Sequence, residues 1–256
     1  MSKTAFITGA ASGIGQATAQ QLYQAGWTLA LADLDIASLQ SSVSQWDSER
    51  VHCYQLDVCD QQAYLQVMQD FTSRCNNQLN VLFNCAGILS IGRFEDISTE
   101  RQQLIMNINV MGVIHGCKAA FPYLKNSRDA VVINMSSASA TYGIPGMAAY
   151  SASKFAVSAL TEALELEWEP YGIRVCDVMP PFVSTPMLND QQESSPILER
   201  LGVHIDASDV ARVVVRQCTQ PSTHRTVSLQ FGFLYRLSQI TPRFISRAMT
   251  RWLNRS

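Results

Sequence analysis

The sequence predicts an α/β protein whose core is a doubly wound parallel sheet of about seven strands, with helices on both faces. Three observations lead to this prediction. Short apolar runs alternate with longer amphipathic runs throughout the 256 residues. The short runs are rich in Val, Ile and Leu without polar alternation, which indicates strands buried on both faces. No linker or repeat divides the chain, so residues 1–256 are predicted to form a single domain.

The apolar runs give the predicted strands and the amphipathic runs give the predicted helices. Asp60 is expected to cap the helix after the third strand, and Thr99 with Gln102 fits a capping box. The predicted strands span residues 3–8, 27–32, 51–55, 80–84, 130–136, 173–178 and 225–230. The predicted helices span residues 13–25, 35–46, 60–75, 99–121, 150–169 and 207–219.

Composition narrows the class of protein. A hydrophobic content of 47% with 16% charged residues suits a globular protein with a large core. The seven cysteines form no Cys-x-x-Cys pair, and the chain enters a strand and a glycine loop at once. These features favour reduced thiols and a cytoplasmic location. No metal site and no nucleic-acid partner are predicted.

Charge is distributed unevenly along the chain. Eight arginines and no acidic residue follow Asp209, although the whole chain has a net charge of −2. Such an imbalance can mark a surface for an anionic partner, or the tail can dock on the acidic body of its own fold. Composition leaves both interpretations open.

A glycine-rich loop connects the first predicted strand to the first predicted helix, in the order Thr8-Gly9-Ala10-Ala11-Ser12-Gly13-Ile14-Gly15. Glycines at such a junction let the backbone approach a pyrophosphate at the helix N-terminus, as in a Rossmann-type fold. A merely tight turn is the alternative, since the spacing differs from the commoner Gly-x-Gly-x-x-Gly. Asp33 ends the second strand, where a carboxylate can accept hydrogen bonds from the ribose hydroxyls of NAD and would repel the 2′-phosphate of NADP. The sequence therefore favours NAD.

Tyr150 and Lys154 stand four residues apart on a predicted helix, so their side chains share one face. The lysine ammonium favours the phenolate, and we expect it to lower the tyrosine pKa from its usual value near ~10. Such a pair suits proton exchange between an alcohol and a carbonyl.

These features belong to an ordered set of motifs: Thr8–Gly15, Asp57-Val58, Asn84-Cys85-Ala86-Gly87, Asn107-Ile108-Asn109-Val110, Asn134-Met135-Ser136-Ser137 and Tyr150–Lys154. In this order and spacing the chain resembles the short-chain dehydrogenase/reductase family, in its compact single-domain, NAD-dependent branch. The resemblance covers residues 3 to about 220.

The resemblance implies four catalytic roles. Tyr150 would exchange the proton with the substrate oxygen, and Lys154 would lower its pKa and hold the nicotinamide ribose. Ser137 would hydrogen-bond the substrate oxygen. Asn109 would bend its helix locally and position a water on the proton path.

The same resemblance implies the cofactor contacts. The pyrophosphate and ribose would be held by Thr8, Gly9, Ser12, Gly13, Ile14, Gly15 and Asp33. Asp57 and Val58 would hold the adenine, and Asn84, Ala86 and Gly87 would support the neighbouring loop. The remaining contacts would come from Pro180, Val183 and Thr185 near the nicotinamide, together with Tyr150 and Lys154.

The chain departs from the family pattern after the sixth strand. Pro181 replaces the usual glycine and fixes φ near ~−65°, which excludes left-handed conformations. A segment near 186–205 would be the lid over the substrate. Either an apolar substrate pocket or the core of that lid is expected from Tyr142, Ile144, Met147, Met187 and Leu188.

The C-terminus departs further, because an arginine-rich extension near 233–256 replaces the family's usual Asp-Gly-Gly ending. A helix starting at Pro242 would carry arginines at every fourth position and apolar residues on its other side. Such a basic amphipathic helix can lie on an anionic membrane surface, or it can fold back on the core.

Together these features predict an NAD(H)-dependent oxidoreductase that interconverts a secondary alcohol and a ketone by hydride transfer, on an apolar or lipid-like substrate. An NADP(H)-dependent carbonyl reductase and a non-catalytic cofactor-binding scaffold are the alternatives. The resemblance implies a homodimer or homotetramer in which the helices at 99–121 and 150–169 pair with a second subunit. Peripheral membrane contact through the C-terminal basic helix is a further expectation.

Overall fold

A parallel sheet of seven strands is the centre of the computed structural model, which describes residues 3–189, 191, 196–241, 245 and 251. In chain order the described strands are β1 (Thr4–Thr8), β2 (Thr28–Asp33), β3 (Val51–Gln55), β4 (Val81–Asn84), β5 (Ala130–Met135), β6 (Ile173–Met179), β7 (Val183–Ser184), β8 (Ile205–Asp206) and β9 (His224–Thr226). The short strands β7 and β8 pair with each other, and the others lie in the order β3-β2-β1-β4-β5-β6-β9. The strand order reverses between β1 and β4, which opens a crevice at the carboxyl ends of the strands. The predicted doubly wound fold is confirmed.

The described α-helices are α1 (Gly13–Gln24), α2 (Ile36–Ser42), α3 (Gln61–Ser73), α4 (Thr99–Met106), α5 (Gly112–Leu124), α6 (Ala148–Trp168), α7 (Pro186–Asn189), α8 (Pro196–Leu201), α9 (Ala207–Gln217) and α10 (Leu229–Ile240). A π-helical segment, Asn107–Met111, joins α4 to α5 without a break in the helix. Short 3-10 turns lie at Ala138–Ala140 and Glu169–Tyr171.

Two apolar layers hold the helices against the sheet. On one face, residues of α1 and α9 such as Leu22 and Val214 pack with Ile133. On the other face, α3, α5 and α6 cover the sheet, with Phe71 and Val157 fully buried. Each side chain of this kind contributes about 1.5–3 kcal/mol on burial, so the layers fix where the strand ends meet.

The helix cap predicted for α3 is confirmed, and the capping box predicted for α4 is wrong. Asp60 caps α3 as predicted, because its carboxylate accepts from two backbone N–H groups at the helix start. The cap of α4 is Ser98 and not Thr99, since the Ser98 hydroxyl accepts from the Arg101 N–H. Gln102, predicted to complete the box, instead donates to the carbonyl of Ile97.

The last strand is shorter than the predicted 225–230. It spans only His224–Thr226, and α10 has begun by Leu229. The reason lies in the partner strand. Thr226 stands opposite Met179, where β6 ends, so the residues that follow have no strand to pair with.

The continuous helical run Thr99–Leu124 is long and apolar enough, by length and composition alone, to cross a membrane. In the fold it packs against α3 and the sheet, and 44% of its most apolar stretch is buried. This is the behaviour of a core helix.

The predicted lid near 186–205 contains α7, α8 and the start of β8. Residues 190 and 192–195 of the lid lie outside the described residues. The first part of the extension predicted near 233–256 belongs to α10. The helix predicted from Pro242 falls almost entirely outside the described residues, apart from positions 245 and 251.

Candidate active site

A cavity of about 350 Å³ opens at the carboxyl ends of the central strands. It extends from the glycine loop before α1 to the loop after β6 and on to α7. The predicted site residues that line it are Gly9, Ser12, Gly13, Ile14, Gly15, Asp33, Asp57, Val58, Ala86, Gly87, Ser137, Tyr150, Lys154, Pro180, Val183 and Thr185. Residues far apart in the sequence are thus brought to one crevice.

The glycine loop passes so close to neighbouring backbone that side chains are excluded. A Cβ on Gly15 would lie 2.0 Å from the carbonyl oxygen of Gly9, and a Cβ on Gly9 would lie 2.9 Å from the backbone of Ala86. Gly9 and Gly13 both have positive φ. Helix α1 begins at Gly13 beside the cavity, so its first N–H groups are available to an anion. The loop fits the pyrophosphate of a dinucleotide.

Asp33 orients its carboxylate at the end of β2. One oxygen accepts from the N–H of Ala11 at 2.9 Å, and the other accepts from the N–H of Asp35 at 3.0 Å. Carboxylate oxygens accept more than one hydrogen bond, so capacity for two ribose hydroxyls remains. Lys154 is the one cation among the described residues that line the cavity.

Thr8, Asn84 and Asn109 do not line the cavity and lie behind its wall instead. The Thr8 hydroxyl accepts from the N–H groups of Cys85 and Ala86, both at 3.1 Å, and so ties the end of β1 to the loop after β4. Thr8 thus supports the wall.

Asn84 differs from its predicted role of supporting the adjacent loop. Its amide donates to Asn134 at 2.9 Å, and Asn134 donates to Thr161 of α6 at 2.9 Å. Tyr64 donates to Asn84 from the other side at 3.3 Å. Asn84 therefore joins a buried polar chain that links α3, β4, β5 and α6.

Asn109 lies in the π-helical segment, where the prediction placed a local distortion. Its side-chain oxygen accepts from the N–H of Ile88 at 2.8 Å. Its side-chain nitrogen donates to the carbonyl of Ile88 and to Ser153 of α6, both at 3.0 Å. The distorted turn thus fixes the loop that follows Gly87 against α6.

Tyr150 lies in the first turn of α6 and lines the cavity together with Ser137. Burial raises the pKa of Tyr150 to about 12, and a hydrogen bond from the Ser137 hydroxyl acts in the opposite direction. The expectation of a lowered tyrosine pKa is therefore wrong for the protein's own groups. Desolvation disfavours the phenolate, and the effect of burial outweighs that of Ser137.

Lys154 is buried beside the ring of Tyr150. Its Nζ donates to the carbonyl of Met135 at 2.8 Å and lies 5.5 Å from the centre of the Tyr150 ring. Burial lowers the pKa of Lys154 to about 8, against the opposing influence of Cys85 and Asp177. The lysine is thus a cation in a position that disfavours charge.

The part of the cavity next to Tyr150, the apolar chamber, has a wall of aliphatic and aromatic side chains. Ile144 and Met147, predicted for this pocket, are buried there with Leu89, Ile91 and Ile197. Tyr150, Phe182 and Leu188 pack against this cluster. Of the five residues predicted for the pocket, Ile144, Met147, Met187 and Leu188 line the cavity. Tyr142 packs against the cluster without lining it.

A family model described as short chain dehydrogenase matches residues 3–196, which is more than half of the chain. The chain belongs to the short-chain dehydrogenase family. The resemblance seen in the motifs is confirmed.

Several known short-chain dehydrogenases and related reductases are similar to this chain. A 3-ketodihydrosphingosine reductase of Bacteroides thetaiotaomicron is 34% identical over 206 residues, 79% of this chain and 71% of the relative. The 3-oxoacyl-(acyl-carrier-protein) reductase FabG of Thermotoga maritima is 31% identical over 230 residues, 88% of this chain and 93% of the relative. A short-chain dehydrogenase/reductase from Burkholderia phymatum, solved in complex with NAD, is 26% identical and superposes with a TM-score of 0.80 over 92% of each chain.

Membership of the short-chain dehydrogenase family makes this protein an oxidoreductase that acts on CH–OH or ketone groups. It also assigns the cavity, since the fold binds its nucleotide at this crevice. The geometry described above shows how this chain builds that site.

Motif reasoning missed part of the lining of this short-chain dehydrogenase. Most of the missed residues follow the carboxyl ends of β2, β4 and β5 or flank the loop after β6. Ligands of doubly wound sheets bind at the carboxyl ends of the strands, and this rule alone would have selected most of them. They are Ala32, Leu34, Leu56, Cys85, Ile88, Leu89, Ile108, Met135, Ser136, Ser139, Phe182 and Pro186.

Proposed function

We propose that this short-chain dehydrogenase uses NAD(H) to interconvert a secondary alcohol and a ketone, with Tyr150 exchanging the proton at the substrate oxygen. One observation carries the proposal. Tyr150 and Ser137 line the cavity together, at the junction between the part that fits the nucleotide and the apolar chamber against which Tyr150 packs. A substrate oxygen at this junction would reach both hydroxyl groups.

The two hydroxyls account for activation of a ketone. When bound, NAD(H) supplies the hydride chemistry. Ser137 and Tyr150 would donate hydrogen bonds to the carbonyl oxygen and stabilise the negative charge that develops on it. Because the pKa of Tyr150 is about 12, its hydroxyl is protonated at neutral pH and is ready to donate. In ketone reduction Tyr150 would therefore act as the acid.

The proposed preference for NAD(H) over NADP(H) rests on Asp33. Its carboxylate would receive the ribose hydroxyls and repel a 2′-phosphate. Among the described residues no arginine or lysine is bonded to Asp33, whose two carboxylate oxygens accept from the backbone N–H groups of Ala11 and Asp35. Titration of the protein with NADH and NADPH tests this. Binding of NADPH at least as tight as that of NADH would contradict it.

The apolar chamber supports an apolar or lipid-like substrate. Its wall consists of aliphatic and aromatic side chains next to Tyr150. Two relatives are named 3-ketodihydrosphingosine reductase and 3-oxoacyl-(acyl-carrier-protein) reductase, and both names place the ketone at carbon 3. We therefore propose a ketone at carbon 3 of an aliphatic chain as the substrate class.

A graded series of 3-ketones assayed with NADH tests the substrate proposal. We expect kcat/KM to rise with the length of the ketone. Each one or two additional methylenes that the chamber buries should raise it by up to about tenfold. Equal kcat/KM across the series would contradict an apolar chamber. Tight NADH binding with no turnover of any ketone or alcohol would instead favour the non-catalytic scaffold.

A homodimer is proposed from the outer surfaces of α4, the π-helical segment and α6. Large apolar side chains stay exposed there at Leu104, Met111, Phe155 and Leu166. Exposed apolar residues grouped on adjacent helices are typical of a subunit interface. The mass of the protein in solution will show whether this dimer assembles further into a tetramer.

Peripheral contact of a cytoplasmic protein with a membrane is proposed for the C-terminal region. On α10, Phe233, Leu234 and Leu237 are exposed beside Arg236. Apolar side chains next to arginines favour the interface of an anionic bilayer. Sedimentation with anionic vesicles should be lost when the chain is truncated before Leu229. Equal sedimentation of the full chain and the truncated chain would contradict the proposal.

A further inference from the structure

A buried carboxylate lies behind Lys154, on the strand next to the one that the lysine contacts. Lys154 donates to the carbonyl of Met135, the last residue of β5. The preceding residue, Asn134, stands opposite Asp177 of β6 in the sheet register. Asn134 directs its side chain to Thr161 of α6. Because cross-strand partners point to the same face, Asp177 also faces α6.

Asp177 is fully buried on the face of the sheet that α6 covers. Ser158, which follows Lys154 by four residues or ~6 Å along α6, acts on its carboxyl group. The oxygen Oδ1 of Asp177 has no hydrogen-bond partner among the described residues. A buried carboxylate is costly unless it is paired. The proposed reaction gives Asp177 no role so far.

His224 of β9 provides the pairing. Its Nδ1 lies 3.0 Å from Oδ2 of Asp177, and its Nε2 lies 3.0 Å from Oε1 of Glu162. Ionised carboxylates only accept hydrogen bonds, so two such contacts require both ring nitrogens to donate. The hydrogen bond to Asp177 accordingly raises the pKa of His224. Burial raises the pKa of Asp177, and His224 opposes this effect.

The other groups near the lysine are neutral. Cys85 and Tyr150 both have a pKa raised to about 12 by burial. Around the pair itself, Glu162 contacts the imidazole, and the ring of Tyr235 from α10 lies 6.2 Å from it. Glu165 of α6 also acts on His224, and it is bonded to Arg174 and Thr223. Asp177 is thus the anion that acts on Lys154 within the part of the chain that the structure describes.

We propose that Asp177, held in place by His224, is a positioning residue that keeps Lys154 charged in its buried site. The inference rests on the proposed function, in which Lys154 is the one cation among the described residues that line the nucleotide cavity. Burial brings the pKa of Lys154 to about 8 even with Asp177 present. Without this carboxylate, the lysine would lose its proton near physiological pH.

The titration of Lys154 tests the inference without any measurement of activity. The chain has four lysines, so lysine labelled with ¹³C at the ε-carbon gives at most four signals, and Lys154→Met assigns one of them. In Asp177→Asn we expect the midpoint of the Lys154 signal to move to lower pH, by roughly half a pH unit or more. The other three signals should titrate as in the wild type.

A matched control separates this effect from a general change of charge. Glu167→Gln removes one negative charge from the exposed side of the same helix and should leave the Lys154 midpoint unchanged. Asp177→Ser provides a second test if Asp177→Asn does not fold, with the same expectation. A Lys154 midpoint that is unchanged when the Asp177 carboxylate is removed would overturn the inference.

The affinity for NADH as a function of pH links the inference to the site. We expect the wild-type affinity to fall as Lys154 loses its proton, and the fall to begin at lower pH in Asp177→Asn. In Lys154→Met this pH-dependent step in NADH affinity should be absent. If it persists there, the proposed role of Lys154 is wrong. If it is absent in Lys154→Met but identical in Asp177→Asn and the wild type, only the role of Asp177 is wrong.

Discussion

Asp33 connects the shape of the glycine loop to the choice of nucleotide. Its carboxylate accepts from the N–H of Ala11 inside the loop and from the N–H of Asp35 at the start of α2. The group that would receive the ribose hydroxyls is therefore also the group that holds the loop. This dual use explains why one acidic residue carries so much of the proposed specificity.

Replacement of Asp33 by serine should change the nucleotide preference. We expect the affinity for NADH to fall about tenfold, since charge-assisted hydrogen bonds contribute about 1.5–3 kcal/mol. The affinity for NADPH should rise relative to that for NADH, because the repulsion of the 2′-phosphate is removed. Fluorescence titration with both nucleotides measures the ratio.

Asp35→Ser is the matched control for that ratio. Asp35 accepts from the N–H of Ser38 as the cap of α2. Its loss should cost about 1 kcal/mol of stability or less, since serine also caps helices, and leave the nucleotide ratio unchanged. A ratio that stays the same in Asp33→Ser would contradict the role of Asp33.

At the level of elements, the glycine loop depends on close contact between backbones. A Cβ on Gly15 would lie 2.0 Å from the carbonyl oxygen of Gly9. No side-chain movement can relieve this contact, because the obstructing atom belongs to the backbone.

Gly15→Ala should therefore abolish measurable binding of NADH and destabilise the fold by about 1–3 kcal/mol through overpacking. Gly143→Ala is the control, since a Cβ at Gly143 meets no atom within 4 Å. Calorimetric titration and thermal unfolding of both variants measure the two effects. Wild-type binding in Gly15→Ala would show that the loop opens more easily than its contacts indicate.

The edge strand β9 is fixed by a charge that depends on pH. His224 joins β9 to β6 through Asp177 and to α6 through Glu162. The pKa of His224 is raised in the folded state. Its stabilising contribution is therefore complete below the unfolded value of about 6.5 and is lost as pH rises through the raised value.

The free energy of unfolding should accordingly decrease between about pH 6 and the pH at which folded His224 loses its proton. In His224→Gln this decrease should be smaller than in the wild type. Urea unfolding at several pH values measures both slopes. Parallel slopes for the two proteins would mean that another group titrates in this range.

For the whole molecule, the exposed apolar residues of α4 and α6 predict a dimer. Phe155→Asp should convert dimer to monomer, because it places a charge among side chains that a second subunit would bury. Leu234→Asp on α10 should leave the dimer intact. Light scattering after size-exclusion chromatography gives the masses. A monomeric wild type, or a dimeric Phe155→Asp, would contradict the proposed interface.

Local sequence patterns predicted most of the fold, because a buried parallel strand is an apolar run in the sequence whichever strands lie next to it. The predicted length of the last strand was wrong because it depends on where its partner strand, β6, ends. The prediction of a lowered pKa for Tyr150 was wrong because desolvation depends on the packing of the site and not on the spacing to Lys154. Asp177, Glu162 and His224 form no motif, since 47 and 62 residues separate His224 from its two partners.

The central claim is that Tyr150 exchanges the proton during hydride transfer between NAD(H) and a substrate. The most direct measurement is single-turnover reduction of a 3-ketone by NADH in Tyr150→Phe, beside a titration of NADH binding. Phenylalanine keeps the ring and removes the hydroxyl. We expect the rate to fall by about 10²–10⁴-fold. NADH affinity should stay within about threefold of the wild type, since less than 1 kcal/mol of binding should depend on this hydroxyl. A rate within tenfold of the wild type, with the nucleotide still bound, would contradict it.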